Sequence, residues 1–152
     1  HFKSGYRGAD AQDTFGQQMA PMAAVLADDQ TVRNVAAYVA SLPATAASAT
    51  LVGDVAEGKD LYLTCSSCHG EMGQGNYATN SPRLAGQDDW YLLRQLQNFK
   101  HQVRGFDRRD TYGPQMALMT KMLRDEQAMT DVLAYIGTLP LSASASGSSA
   151  AE

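Results

Sequence analysis

Cys65-Ser66-Ser67-Cys68-His69 places two thiols three residues apart and an imidazole directly after the second. On a helical turn this spacing turns both thiols to one side. Each thiol can form a thioether with one vinyl group of a haem, and the adjoining histidine is then left under the iron. C-x-x-C-H is accordingly the attachment signature of a c-type haem. Other uses of a C-x-x-C pair ask for surroundings that this chain does not offer. A thioredoxin-type redox pair wants a βαβ context. A tetrahedral zinc site wants a fourth ligand, and neither His1 nor His101 has sensible spacing for it. An incidental pair of structural cysteines is the plain alternative.

An iron held by one histidine needs its sixth position explained, since an open position binds gases or peroxide and a filled one transfers electrons. Methionine is the natural ligand, and the chain has seven. At helical spacing a methionine is more often core than ligand. Met116 is singled out because it sits where a loop passes into a helix, far enough along the chain to reach the distal face after an intervening helix. Met119, one turn further on the same face, is its rival. Met122 is a poorer one.

Helical segments position these groups. Asp54 followed by Glu57 makes a capping-box start for a helix from Val55 to about Thr64 that leads into the cysteines. Asp88 or Asp89 can cap a second helix, with Leu92, Leu96, Phe99 and Val103 along one face. A third segment, from Gln115 to Leu123, carries Met116, Met119 and Leu123. A fourth, after Asp125, carries Met129, Val132, Ile136 and Leu139 and is stopped by Pro140. No stretch alternates like a strand, so the expectation is an all-α domain over 54–140.

Composition sets the outer bounds. Of 152 residues, 44% are hydrophobic and 18% charged, which excludes collagenous, disulfide-dense and fully disordered chains. Twelve Lys and Arg against sixteen Asp and Glu give a net charge of -4, which argues against nucleic acid as a partner. No apolar run approaches the ~20 residues of a membrane span, so no transmembrane segment is expected in this chain. The start at His1 reads as the remainder of a longer, processed product. Residues 44–53 read as a linker and 141–152 as a disordered, Ser/Ala-rich tail.

The chain also repeats itself. Residues 2–43 align without gaps on 99–140, with 20 of 42 positions identical, including Phe2 with Phe99, Arg7-Gly8 with Arg104-Gly105 and Gln18-Met19-Ala20 with Gln115-Met116-Ala117. The counterpart of the cysteine cluster falls before His1. Residues 1–43 are therefore expected to be the C-terminal half of a first repeat. The apolar face formed by Val32, Val35 and Val39 would favour dimerisation or packing on a partner.

The C-x-x-C-H helix is followed by Ser81-Pro82-Arg83-Leu84-Ala85-Gly86-Gln87, then Tyr91-Leu92-Leu93-Arg94-Gln95-Leu96, then Gln115-Met116 and a last helix from Leu123-Arg124-Asp125 to Ala134-Tyr135-Ile136. Together these segments resemble a class I cytochrome c, most of all the di-haem cytochrome c4 type; cytochrome extensions of oxidase subunit II are a related setting. The resemblance covers 54–140 and, through the repeat, 2–43. It implies the class I fold with a partial second copy at the N-terminus. It also implies thioethers from Cys65 and Cys68, His69 as proximal ligand with Pro82 accepting from its other ring nitrogen, and a haem pocket lined by Leu84 and Tyr91. Met116 matches the axial methionine, and Met19 the axial methionine of the other repeat. One haem c is expected on this sequence, and a second if the first repeat is complete in the native protein.

The implied function is electron transfer in a bacterial respiratory chain rather than catalysis. The implied partners are an upstream cytochrome complex or a terminal oxidase. The implied place is the periplasm, with membrane association through a complex. The rival readings are a peroxidase-like haem enzyme with an open sixth position and a haem-based sensor. Among the remaining features, Arg94, Lys100, Arg104, Arg108 and Arg109 read as a solvated basic face before they read as contacts to haem propionates or an acidic partner. Trp90 reads as a packed aromatic, and Gly73 and Gly75 as turn residues.

Overall fold

The computed structural model describes residues 1–43, 45 and 47–141, and among them every regular element is an α-helix. In chain order these are α1 (Thr14–Ala24), α2 (Asp29–Ser41), α3 (Val55–His69), α4 (Asp89–Lys100), α5 (Gly113–Thr120) and α6 (Glu126–Thr138). The nearest approach to sheet pairing is one isolated bridge between Asn76 and Ser81, in the loop after α3. The all-α expectation holds. All but the first residue of the expected tail, 142–152, lies outside the described residues.

Aspartates start most of these helices, and they do so in register with the repeat. Asp13 accepts from Gly16 N–H at 2.9 Å and Asp110, ninety-seven positions on, from Gly113 N–H at 3.0 Å. Asp28 caps α2 through Thr31 N–H, and Asp125 caps α6 through Ala128 N–H. Each carboxylate satisfies an amide that the first helical turn leaves without a partner. At their C-termini, α2 and α6 stop alike. Leu42 and Leu139 each precede a proline and adopt extended backbone, as a residue before proline must.

The chain folds into two compact units, His1–Pro43 with Gln95–Met122 and Ala44–Arg94 with Leu123–Glu152. The division runs across the 54–140 segment rather than around it. In the unit built from Gln95–Met122 and the N-terminal residues, the repeat is visible as matched local structure. Arg7 lies over the Phe2 ring and Arg104 over the Phe99 ring, each at 4.4 Å, and both guanidinium groups donate to Oε1 of Gln95. Gly8 and Gly105 sit at φ +77° and +79°, each against the carbonyl of a second glycine, Gly16 or Gly113, where a side chain would collide.

In the other unit α3 packs against α6. A Cβ on Gly58 would lie 1.9 Å from the Asp131 carbonyl oxygen, so the two backbones meet at a distance only glycine allows. Tyr62 tilts against Tyr135, with ring centroids 5.3 Å apart. Met129, Val132 and Ile136 of the expected stripe are buried in this unit together with Leu133, while Leu139 is half-buried. The helices are also tied at one end: Asp131 accepts from the backbone N–H of Asp54, the cap of α3, at 2.8 Å. Asp54 itself accepts from Ala56 and Glu57 N–H. The reciprocal bond of the expected capping box is thus replaced by one from α6.

Candidate haem site

Helix α3 runs on past Thr64 and takes the whole cysteine motif into its last turn, ending at Gly70 with φ +84°. Cys65 and Cys68 are three residues apart on this helix and both are free thiols, the first half-buried and the second exposed. The intervening serines turn back on the helix: Ser66 donates to the Leu63 carbonyl at 2.8 Å and Ser67 to that of Thr64 at 2.9 Å. Burial raises the Cys65 thiol above its ordinary pKa.

His69, the last residue of α3, is 7% exposed, and its Nδ1 lies 2.8 Å from the carbonyl oxygen of Pro82. A carbonyl can only accept, so Nδ1 carries the proton and the neutral ring keeps its lone pair on Nε2. Burial lowers the histidine pKa, partly opposed by the Pro82 bond, and so favours this neutral, metal-ready form. The loop that supplies Pro82 is held by its own bonds, from Gly75 N–H to the His69 carbonyl at 2.8 Å and across the Asn76–Ser81 bridge.

Leu84 and Tyr91 lie in the same unit, both half-buried, and the neighbouring Ala85 is buried. Trp90 meets Tyr91 edge-on at 6.1 Å and carries Arg94 over its ring at 5.2 Å, and it is nearly half exposed. Met116 is on α5 in the other unit, half-buried, with Met119 and Met122 more exposed. The basic residues scatter: Arg109 pairs with Asp107 at 3.0 Å, Arg104 bonds Gln95, and Arg108 is exposed. Sequence reasoning passed over Arg83. Its Nε donates to the Ala85 carbonyl at 2.9 Å, while its Nη2 is buried with no partner among the described residues. Its place directly after Pro82 was the available signal.

Residues 55–140 match the cytochrome c family. The chain belongs to that family. Among curated relatives, cytochrome c4 of Pseudomonas aeruginosa is 33% identical over 90 residues, covering 59% of this chain and 40% of the relative. A thiosulfate dehydrogenase electron acceptor of Stutzerimonas stutzeri is 32% identical over 106 residues, covering 70% of this chain and 45% of the relative. This c-type cytochrome thus spans less than half the length of those relatives. A cytochrome c4 structure from Acidithiobacillus ferrooxidans superposes with a TM-score of 0.71 at 26% identity, covering 91% of this chain and 78% of that one. The all-α arrangement is that of a class I, c4-type cytochrome, and the cofactor of this family is covalently bound haem c.

The residues present fit that cofactor. Two free thiols share a helix face, a buried neutral imidazole keeps Nε2 without a hydrogen-bond partner among the described residues, and a buried guanidinium nitrogen of Arg83 suits a carboxylate such as a propionate. No three His, Cys, Asp or Glu side chains among the described residues are grouped to hold a metal ion by themselves. No helix among the described residues is long and apolar enough to cross a membrane.

Proposed function

We propose that this cytochrome is part of a periplasmic electron carrier of a bacterial respiratory chain, in which Cys65 and Cys68 form the thioethers and His69 and Met116 are the axial ligands. Haem supplies a one-electron couple between ferrous and ferric iron. The chain's residues set how that couple behaves. His69, oriented through Nδ1 by Pro82, offers Nε2 as a fixed nitrogen ligand. Met116 would hold the iron through its thioether, a ligand that together with a histidine nitrogen favours a high reduction potential. Leu84 and Tyr91 line the pocket and exclude water. The buried His69, held by Pro82 on a helix with two free thiols, is the observation that carries this reading.

The likeness to a thiosulfate dehydrogenase electron acceptor supports a dehydrogenase as the source of electrons. A terminal oxidase, which would bring the carrier to the membrane through a complex, is the proposed destination. Residues 1–43 fit the C-terminal half of a second such domain. Completed by a matching first half, that domain would hold a second haem with Met19 as ligand; α2 would then cover its apolar face as α6 does.

The optical spectrum of the oxidised, haem-loaded protein tests the ligation. A sulfur-to-iron charge-transfer band, together with no binding of cyanide or carbon monoxide at neutral pH, is expected. Ready binding of either ligand without that band would replace this reading by a peroxidase-like or ligand-sensing one.

A further inference from the structure

Tyr62 and His69 are seven residues apart on α3, two turns along the same face, and both are buried. The Tyr62 ring needs no hydroxyl to pack on Tyr135. Its Oη nevertheless donates to the carbonyl oxygen of Gly70 at 2.7 Å, just past the histidine. The same carbonyl accepts from Gly73 N–H at 3.0 Å. The Gly73 carbonyl in turn accepts from Leu84 and Ala85 N–H at 2.8 and 3.1 Å, two and three residues beyond Pro82. The circuit closes where His69 Nδ1 donates to the Pro82 carbonyl. Every link is a backbone group of one loop except the first and the last, which are side chains of α3.

We infer that Tyr62 is a positioning residue for the iron ligand His69, its hydroxyl anchoring the loop that brings the Pro82 carbonyl to the imidazole. Burial beside Cys65 and Tyr135 pushes the phenol up to about 12, so the hydroxyl remains a donor throughout the neutral range. Removing it leaves the Gly70 carbonyl with Gly73 alone and frees the loop at the end remote from Pro82. The Nδ1–H to carbonyl bond then lengthens on average. A weaker bond at Nδ1 makes the imidazole a poorer electron donor to ferric iron, so the reduction potential rises.

The inference rests on His69 being the iron ligand, and the experiment separates the two. The Nδ1–H proton of an axial histidine is first located by NMR in the haem-loaded wild-type protein; its absence there would overturn the ligand assignment and the Tyr62 role with it. Given that proton, Tyr62→Phe keeps the ring and removes the donor. The expected result is a higher reduction potential together with faster solvent exchange of the His69 Nδ1–H. An unchanged potential and exchange rate, even with a lowered melting midpoint, would mean that Tyr62 only fills space, and the inference fails. Should Tyr62→Phe not take up haem, 3-fluorotyrosine at position 62, which keeps the ring and makes the hydroxyl a stronger donor to the Gly70 carbonyl, is read by the same two measurements; a lower potential with slower exchange is expected, and no change in either overturns the inference.

Discussion

At the scale of single residues, the proposed ligand set divides by how each member declares itself. Cysteine, cysteine and histidine are fixed by adjacency on one helix, so their spacing alone announced them. Met116 has no such local signature and stood out through its place between a loop and a helix, the repeat and the family resemblance. It therefore carries the sharpest variant test. Met116→Ala is expected to abolish the sulfur-to-iron band, admit cyanide or carbon monoxide at neutral pH, and lower the reduction potential, whereas Met119→Ala leaves all three unchanged. The reverse pattern would move the ligand to Met119. Arg83 was marked only by its place after Pro82, and its burial was illegible for a physical reason: whether an arginine head is buried depends on how the surrounding loop closes, which neither hydrophobic period nor motif spacing encodes.

At the scale of elements, periodicity revealed α6 well, because one face of it is continuously buried against α3. The close approach of those helices was not legible, since it depends on Gly58 meeting a carbonyl 73 positions away in sequence. Gly58→Ala should force the helices apart and lower stability by about 2 kcal/mol. Urea unfolding of the haem-loaded protein measures it, and an unshifted midpoint would mean that the seam relaxes freely.

Asp89 is a second long-range fastening. Its carboxylate accepts from Thr50 N–H and Oγ1–H, from Leu51 N–H and from Trp90 N–H, tying the segment before α3 to the start of α4. Burial pushes its pKa up, but these hydrogen bonds together outweigh that and hold it below the ordinary 3.8. A carboxylate with a lowered folded pKa adds stability above pH 3.8 and loses it as pH falls through the folded value. Asp89→Ala should therefore cost about 2 kcal/mol at neutral pH. The gap between variant and wild type should narrow in acid, below pH 3.8. A gap independent of pH would assign the loss to packing instead.

At the scale of the whole molecule, the duplication was plain in the sequence but the division into units was not. Sequence identity reports common ancestry of segments, whereas the units are set by which segments pack together. The contrast between α2 and α6 shows what the repeat leaves undone here. Thirteen aligned residues form each helix, yet α6 buries Met129, Val132 and Ile136 while their counterparts Val32, Val35 and Val39 stay exposed. The difference lies in α3, which carries the cysteine motif and whose equivalent is absent from these 152 residues. One C-x-x-C-H gives one place for a covalent haem, so a polypeptide of these 152 residues should weigh 16.3 kDa plus a single haem when denatured. Met19→Ala should then leave haem content, spectrum and potential as they are, in contrast to Met116→Ala. Intact-mass measurement and a redox titration of the two variants check this. A second haem on this chain, or a spectral change on replacing Met19, would require a ligand set that the first repeat supplies by some route other than a cysteine pair.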